Sequence, residues 1–441
     1  MKNSYSRREF INRLGLSGVA AGFGAGNLLA DQYKPGKEEL ESGKIVKDDK
    51  GKSAVLRSGK IFQPERELQM KCDVDVLVIG GGAAGVAAAI SARKLGVNVA
   101  LVERYGCFGG LFTGGLVLCL IGTYRKIDGK SVQIASGVNG ELINRLAALG
   151  DCGITQNWKE GKDPNADPEA AKYVLNEMVR ESGAKVFMHS WGVDAIMDGD
   201  KVRGAVFESK SGRQAILAKV VVDASGDGDM FAAAGAEYAK YSRYIGLVHR
   251  IGGLPADKKV NTPIKGVKWL NMRGDATEDG LDVETLTRLE MDYRKKIWDS
   301  VEKFRKTPGN ENAFLLDVAS QLGVRTTRLL KGVTYMAYDT AIKPDVFKDV
   351  IGVASGGNAN PVYIPYGALV PKNVDNVIAS GRCISMDLKV AETCRLVPGC
   401  FTTGMAAGTA AALAVKDNCV PRDVNIDKLQ KTLKENGAYL G

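Results

Sequence analysis

Two hydrophobic rhythms divide the chain into elements. Val74 to Ile79 is a short apolar run rich in β-branched residues, the composition of a strand buried in a parallel sheet. Ala83 to Leu95 reads as a helix whose run of alanines keeps the packing distance short, and Gly96 stops it. Val97 to Val102 is a second apolar strand. Asn139 to Leu149 and Pro168 to Ser182 fit amphipathic helices. Lys185–His189, Gly192–Met197, Val202–Ser209 and Lys219–Val222 fit strands. A long helix is predicted from Val283 to Arg305, a small-residue helix from Phe401 to Val415, and a surface helix from Asn425 to Asn436. Strands that alternate with helices in this way predict an α/β fold.

The loop between the first strand and its helix carries the chemistry. Gly80, Gly82 and Gly85 stand at G-x-G-x-x-G spacing. Gly80 allows the tight turn, Gly82 lets a pyrophosphate approach the backbone, and Gly85 lets the helix lie close on the strand. Ala83 and Ala84 open the helix, where backbone amides and the helix dipole favour phosphate. Glu103 ends the second strand, at the distance where a carboxylate accepts hydrogen bonds from ribose hydroxyls. Strand, turn, helix and acid together predict a dinucleotide site. The motif alone does not choose between FAD and NAD.

Further glycine-rich turns follow. Arg104 to Gly115 includes Gly109 and Gly110, and lets backbone pass close to a flat ligand. The strand Lys219–Val222 delivers Asp223-Ala224-Ser225-Gly226-Asp227-Gly228-Asp229, which sets carboxylates and free amides beside a nucleotide. Near the C-terminus come Ile378-Ala379-Ser380-Gly381-Arg382-Cys383 and then Cys394-Arg395-Leu396-Val397-Pro398-Gly399-Cys400. Pro398 sits where a helix start favours proline. A helix N-terminus here would face the N1/O2 edge of a flavin and stabilise the negative charge that reduction places there.

Composition excludes several classes. The 441 residues are 45% hydrophobic and 25% charged, which suits a soluble chain of two or three domains. The net charge of +9 is spread along the chain, and nothing resembles a nucleic-acid module. The eight cysteines form no C-x-x-C run, so no zinc or iron–sulfur site is expected, and two histidines exclude a histidine-rich metal centre. No apolar run predicts a permanent membrane span. Ser6-Arg7-Arg8-Glu9-Phe10-Ile11, followed by a weakly apolar stretch to Leu28-Leu29-Ala30, resembles a twin-arginine export signal and predicts a periplasmic protein.

The predicted organisation is a signal over residues 1–30 and a solvated linker and lead-in over 31–70. The first part of the nucleotide-binding domain then spans 71–235, an inserted mixed α+β substrate or cap domain 236–350, and the C-terminal part 351–441. In the insert, Arg325 and Arg328 lie three apart and could bind an anionic substrate group, or serve only surface ion pairs. Arg395, just before the flavin-facing helix, is the first candidate to bind a carboxylate or carbonyl or to shuttle a proton. Its alternative role is as a structural partner of the cofactor. Arg325, Arg328 and Tyr366 follow as catalytic candidates.

Three blocks now stand together: GGGAAG with Glu103, DASGDGD, and IASGRC followed by CRLVPGCFTTGMAAGTAAA. The chain resembles the family of single-dinucleotide FAD-dependent oxidoreductases, whose distant members include the flavin subunit of heterodisulfide reductase. The shared fold is the glutathione-reductase-like, Rossmann-like FAD-binding domain. The resemblance implies FAD as cofactor. It places the pyrophosphate on Gly80, Gly82 and Gly85, and the ribose on Glu103. Gly109 and Gly110 would lie along the cofactor, and Val193 would be an adenine-side backbone contact. Ala224, Gly226 and Asp227 would close the nucleotide pocket. Gly381, Arg382 and the turn from Pro398 and Gly399 to Gly404 would hold the flavin end. The implied activity is hydride transfer between a small organic substrate and flavin N5, with an electron donor or acceptor that the sequence does not identify. Two alternatives stay open: a sugar or polyol dehydrogenase, and a flavin-binding electron carrier without its own substrate.

Overall fold

The computed structural model describes residues 54–256, 260–356 and 360–441. The expected export signal lies outside them. The described residues up to Arg66 and those from Glu67 to Gly441 form two separate units. In the first, Val55–Arg57 and Lys60–Phe62 pair as an antiparallel hairpin within the expected linker and lead-in. Ser58 and Gly59 make its turn with positive φ, and Leu56 and Ile61 remain exposed.

The second unit is built on one seven-stranded sheet. In chain order its early elements include β1 (Gln69–Ile79), helix α1 (Ala83–Lys94), β2 (Val99–Val102), helix α2 (Pro168–Ser182) and β3 (Lys185–Phe187). Then come β4 (Trp191–Asp198), β5 (Lys201–Ser209) and β6 (Gly212–Asp223). Strand order is β3-β2-β1-β6-β5-β4, and a late strand, Val377–Ala379, pairs with β6. β3, β2, β1 and β6 run parallel, whereas β6, β5 and β4 form an antiparallel meander. β6 belongs to both: its first half pairs with β5, and Val221–Asp223 pair in parallel with Val377–Ala379. That dual pairing explains why β6 starts at Gly212 rather than at Lys219. The polar Arg213 and Gln214 hide a strand from its hydrophobic pattern, and Gln214 is buried between two neighbours.

A second, smaller module follows in the chain. β7 (Gly246–Gly252) is the centre of a three-stranded antiparallel sheet with β8 (Lys268–Arg273) and β9 (Phe314–Val318). Helix α3 (Val283–Arg305) lies on it and buries Leu289, Tyr293, Ile297 and Val301, one residue per turn, while its other face stays charged. This module has small cores of its own, separate from the large core of the main sheet. Arg250 on β7 ties it down: Nη1 donates to Asp167 Oδ2 at 3.1 Å, and Nε donates to Asp317 Oδ1 at 3.0 Å.

Later come β10 (Val377–Ala379, the strand already noted), helix α4 (Leu388–Cys394) and helix α5 (Val397–Lys416), and the surface helix expected at the C-terminus runs over Ile426–Glu435. α5 starts four residues earlier than its small-residue pattern suggests, because Pro398 fits the first turn. α1 and α5 are apolar on nearly all sides and pack on each other. A Cβ on Gly404 would lie 2.1 Å from Ala84 O, and one on Gly408 would lie 2.1 Å from Ala88 O. Glycine is therefore required at both for the helices to cross this closely. Among the described residues no single helix is long and apolar enough to cross a membrane.

Candidate functional site

The C-terminal ends of the parallel strands open onto one cavity. It encloses about 900 Å³ of space, part of it open to solvent. Its walls come from the turn after β1, the loop after Glu103, the start of β4, the loop after β6, Gln321, the Ser380–Arg382 turn and the segment leading into α5.

At one end stands the glycine turn. Gly80 has φ +100°, and its Cβ would lie 2.4 Å from Ala224 O; a Cβ on Gly85 would lie 1.7 Å from Gly80 O. Gly85 thus faces the turn, while Gly80, Gly82, Ala83 and Ala84 line the cavity. A Cβ on Gly82 would meet only Gly110 Cα, at 3.9 Å, so it would fill free space beside the cavity. Gly82 bridges to Gly109 in parallel, which joins the first two glycine segments. Glu103 is 4% exposed. Its Oε2 accepts from Gly81 N at 2.5 Å and its Oε1 from Tyr105 N at 2.7 Å. Burial pushes its carboxyl up, against the pull of those amides. Each oxygen keeps a lone pair for a further donor.

Two helix N-termini meet here. α1 and α5 begin at Gly82 and Leu396, and neither has a side-chain cap or an acid in its first turn. Their free amides and positive dipole ends suit an anionic or electron-accepting ligand. Ala83 and Ala84 represent one helix on the cavity wall, Val397 and Cys400 the other.

Between them lies a polar hub. Asp227 Oδ1 accepts from Arg382 Nη2 and from Thr327 Oγ1, both at 2.7 Å, and its carbonyl accepts from Arg328 Nη1 at 2.9 Å. Arg382, Gly381, Ala224 and Gly226 line the cavity, whereas Asp227 stands behind and holds Arg382 in place. Arg328 Nη1 also donates to Asp229 Oδ1 at 2.9 Å. Asp229 reaches the cavity, and its carboxyl is pushed up to about 6 by burial and by its neighbours Asp223 and Asp227.

The residues expected at the site are therefore only partly gathered. Arg104, Gly109, Gly110 and Arg395 are on the wall. Val193 is not: Ser190, Trp191 and Gly192 take that position, because β4 begins earlier than expected. Gly404 serves the helix crossing, and Gly399 packs on Cys394, where its Cβ would lie 2.6 Å from the carbonyl oxygen. Pro398 shapes the turn without reaching the cavity wall. Arg325 stands behind the wall and donates from Nη1 to Tyr244 O at 2.7 Å. Arg328 is committed to the Asp227–Asp229 loop. Tyr366 corrects the sequence reading most plainly: it is 3% exposed, outside the cavity, with its hydroxyl donated to Pro421 O at 2.8 Å. The short strand Val362–Pro365 carries it into the core.

Sequence reasoning did not single out Tyr105, Trp191 or Gln321 on the wall, and it reached Asp229 only as part of the Asp223–Asp229 turn. Arg104 lies over the rings of Tyr105 and Trp191, 4.8 and 5.4 Å from their centroids. An arginine beside an aromatic, next to a ribose-binding acid, was the available signal for Tyr105. Gln321 had none; it is brought in by the second module.

The geometry fits a dinucleotide: an acid and a glycine turn at one end, a second free helix end at the other, and open space over Gly82. The matching family profile is that of the FAD dependent oxidoreductases, over residues 75–244 and 250–433. The chain belongs to that family: it is an FAD-dependent oxidoreductase, and FAD is its cofactor. A thiamine thiazole synthase of Methanococcus aeolicus is 29% identical over 218 residues, which are 47% of this chain and 72% of that one. A urocanate reductase of Eggerthella lenta is 40% identical over 80 residues, 18% of this chain and 13% of the relative. A digeranylgeranylglycerophospholipid reductase of Methanosphaerula palustris is 26% identical over 183 residues, 37% and 41% of the two chains. Among solved structures, a geranylgeranyl bacteriochlorophyll reductase-like protein from Thermoplasma acidophilum is 15% identical, with a TM-score of 0.45 and 83% of each chain covered. A likeness that loose carries no argument about chemistry.

Proposed function

We propose that this chain is an exported FAD enzyme that transfers a hydride between a small organic substrate and flavin N5. The bound flavin supplies the two-electron chemistry. The chain's own residues bind, orient and charge-balance. The amides after Gly82, with Gly80 and Gly110, would hold the pyrophosphate, and Glu103 would accept from the ribose. Arg104 and Trp191, near Glu103, would take the adenine side. Arg382, kept charged by Asp227, and the α5 N-terminus would hold the flavin end. Arg395 binds the substrate's carbonyl or carboxylate, or carries a proton to or from it.

The observation that carries this reading is Gln321. It belongs to the second module yet lines the same cavity as Gly82 and Val397. A pure electron carrier needs no such second wall, so the enzyme reading is favoured over the carrier reading. Export rests on the Arg7-Arg8 motif, and kinship with the heterodisulfide reductase flavin subunit rests on the three motif blocks alone.

The test is an anaerobic titration of the purified yellow protein with a panel of organic acids, sugars and polyols, following loss of the flavin band. Bleaching by organic acids supports the proposal. Bleaching by sugars alone moves the substrate to the polyol class. No reaction with any small molecule, with reduction by a protein donor, returns the chain to the carrier class. An Arg395→Ala protein with its flavin and full turnover would take Arg395 off the catalytic list.

A further inference from the structure

We propose that the cavity takes a substrate with an oxyanion group, carboxylate or phosphate, bound by Gln321 and Arg395 with Arg325 behind them. This deepens the oxidoreductase reading of the same cavity and rests on it.

Gln321 is the first observation. Its backbone is pinned from both sides: Ala319 N donates to Val248 O at 2.8 Å, and Ser320 N and Oγ donate to Gly114 O at 2.9 and 3.0 Å. The side chain is therefore delivered to the wall by fixed neighbours. It is 8% exposed, and its Nε2 has no hydrogen-bond partner among the described residues. A buried amide donor left without an acceptor costs free energy, so a ligand acceptor at this point is expected.

The second observation is an excess of positive charge. Arg395 pairs through Nη2 with Glu392 Oε2, and Arg243 pairs through Nη2 with Glu392 Oε1. The Nε of each arginine is buried without a partner among the described residues. Arg325 stands close enough to feel its neighbours: burial, then the charges of Arg395 and Arg273, hold its pKa below the ordinary arginine value. Arg273 lies over the Tyr244 ring, 5.6 Å from the centroid, and Tyr244 is the residue whose carbonyl holds Arg325. Two guanidinium groups thus pair with one carboxylate, Glu392, whose side chain is 44% exposed, and the charge of a third, Arg325, lies near it. Uncompensated cations at a partly dry wall favour an anion, and a guanidinium's planar fork matches an oxyanion's geometry. A neutral carbonyl would satisfy Gln321 but leave the charge unbalanced.

The test uses the oxidised holoenzyme and three probes: succinate, inorganic phosphate, and succinamide, the uncharged diamide. The readouts are perturbation of the flavin absorption band and the shift in thermal midpoint. At least one anion should bind where succinamide does not, and the better of the two identifies carboxylate or phosphate as the source. Gln321→Leu and Arg395→Gln should each raise that Kd by about tenfold or more, as expected when a hydrogen bond to a charged group is lost. Arg395→Lys should keep part of the affinity. Succinamide binding as tightly as succinate, or variants that keep flavin and the parent Kd, would overturn the proposal. A protein that never takes up flavin speaks against the oxidoreductase reading instead, because the thermal shift with each anion can still be read on the apoprotein.

Discussion

Around Gly80–Gly85 and Val397 the chain meets the cavity with backbone: amides, glycine surfaces and two helix ends. Around Gln321 and Arg395 it meets it with side chains. The first wall comes from segments that lie at the ends of regular elements, and each is fixed by close backbone contact. The second gathers residues from β7's neighbourhood, the loop after β9 and the end of α4, each held by a few hydrogen bonds and ion pairs. Backbone recognition tolerates almost no added atoms. Side-chain recognition can be retuned one residue at a time, which is what a family with one cofactor and varied substrates requires.

The sharpest way to break this contrast is at the turn itself. A methyl group on Gly85 would have to share space with Gly80 O, 1.7 Å away, and backbone cannot swing aside as a flexible side chain can. We expect Gly85→Ala to cost about 3 kcal/mol or more and to yield colourless protein. The ratio of flavin to protein absorbance and a urea titration check it. A yellow Gly85→Ala protein of parental stability would show that the turn is not rigid.

That rigidity is also why the first wall could be read from the sequence. Glycine spacing, an acid at a strand end and proline in a first helical turn are local codes, and each predicts a backbone conformation. Helices α2 and α3 were legible for the same reason: apolar residues one turn apart, and in α2 also a Pro at N1 and a Gly after the last turn. The rest depended on tertiary pairing. Gly212–Ala218 looks too polar for a central strand until β1 and β5 enclose it. Tyr366 looks available beside Pro365 until the strand before it proves buried. Gln321 has no local code at all, since its importance comes from the pinning of Ser320 to Gly114 across 206 residues.

The junction between the two modules gives the next largest effect. Arg250 has an 8% exposed side chain and bridges Asp317 to Asp167, which also caps α2 by accepting from Glu169 N and Ala170 N. Arg250→Ala would strip two carboxylates of their cation. Such a loss costs about 3–5 kcal/mol for fully buried pairs, and we expect the lower end because Asp317 is a third exposed. Equilibrium unfolding in urea measures it, and a loss under about 1 kcal/mol would mean that the modules are held by apolar contact alone.

Gly82→Ala separates the fold from the cofactor. Its added methyl group meets only Gly110 Cα, at 3.9 Å, so thermal stability of the apoprotein should stay near the parent value. FAD affinity should fall about tenfold, one close backbone–phosphate approach being lost. Stability and affinity falling together would place Gly82 with Gly85 as a folding residue, and the distinction between turn and cradle would be lost.

The smallest effect lies where the two walls join. Asp229 is held in the cavity by Arg328, yet burial and the nearby Asp223 and Asp227 push its carboxyl up to about 6 from the ordinary 3.8. The folded state then binds this proton more tightly than the unfolded chain does. Stability from this group is therefore complete below about pH 4 and is lost as pH rises toward about 6, after which the curve is flat. Asp229→Asn cannot ionise, so its thermal midpoint should vary less across that window than the parent's. With 31% of the side chain exposed, solvent screening limits the difference to about 1 kcal/mol. A parallel pair of profiles would mean that Arg328 already neutralises Asp229, and that the charge at this end of the cavity is set by the arginines alone.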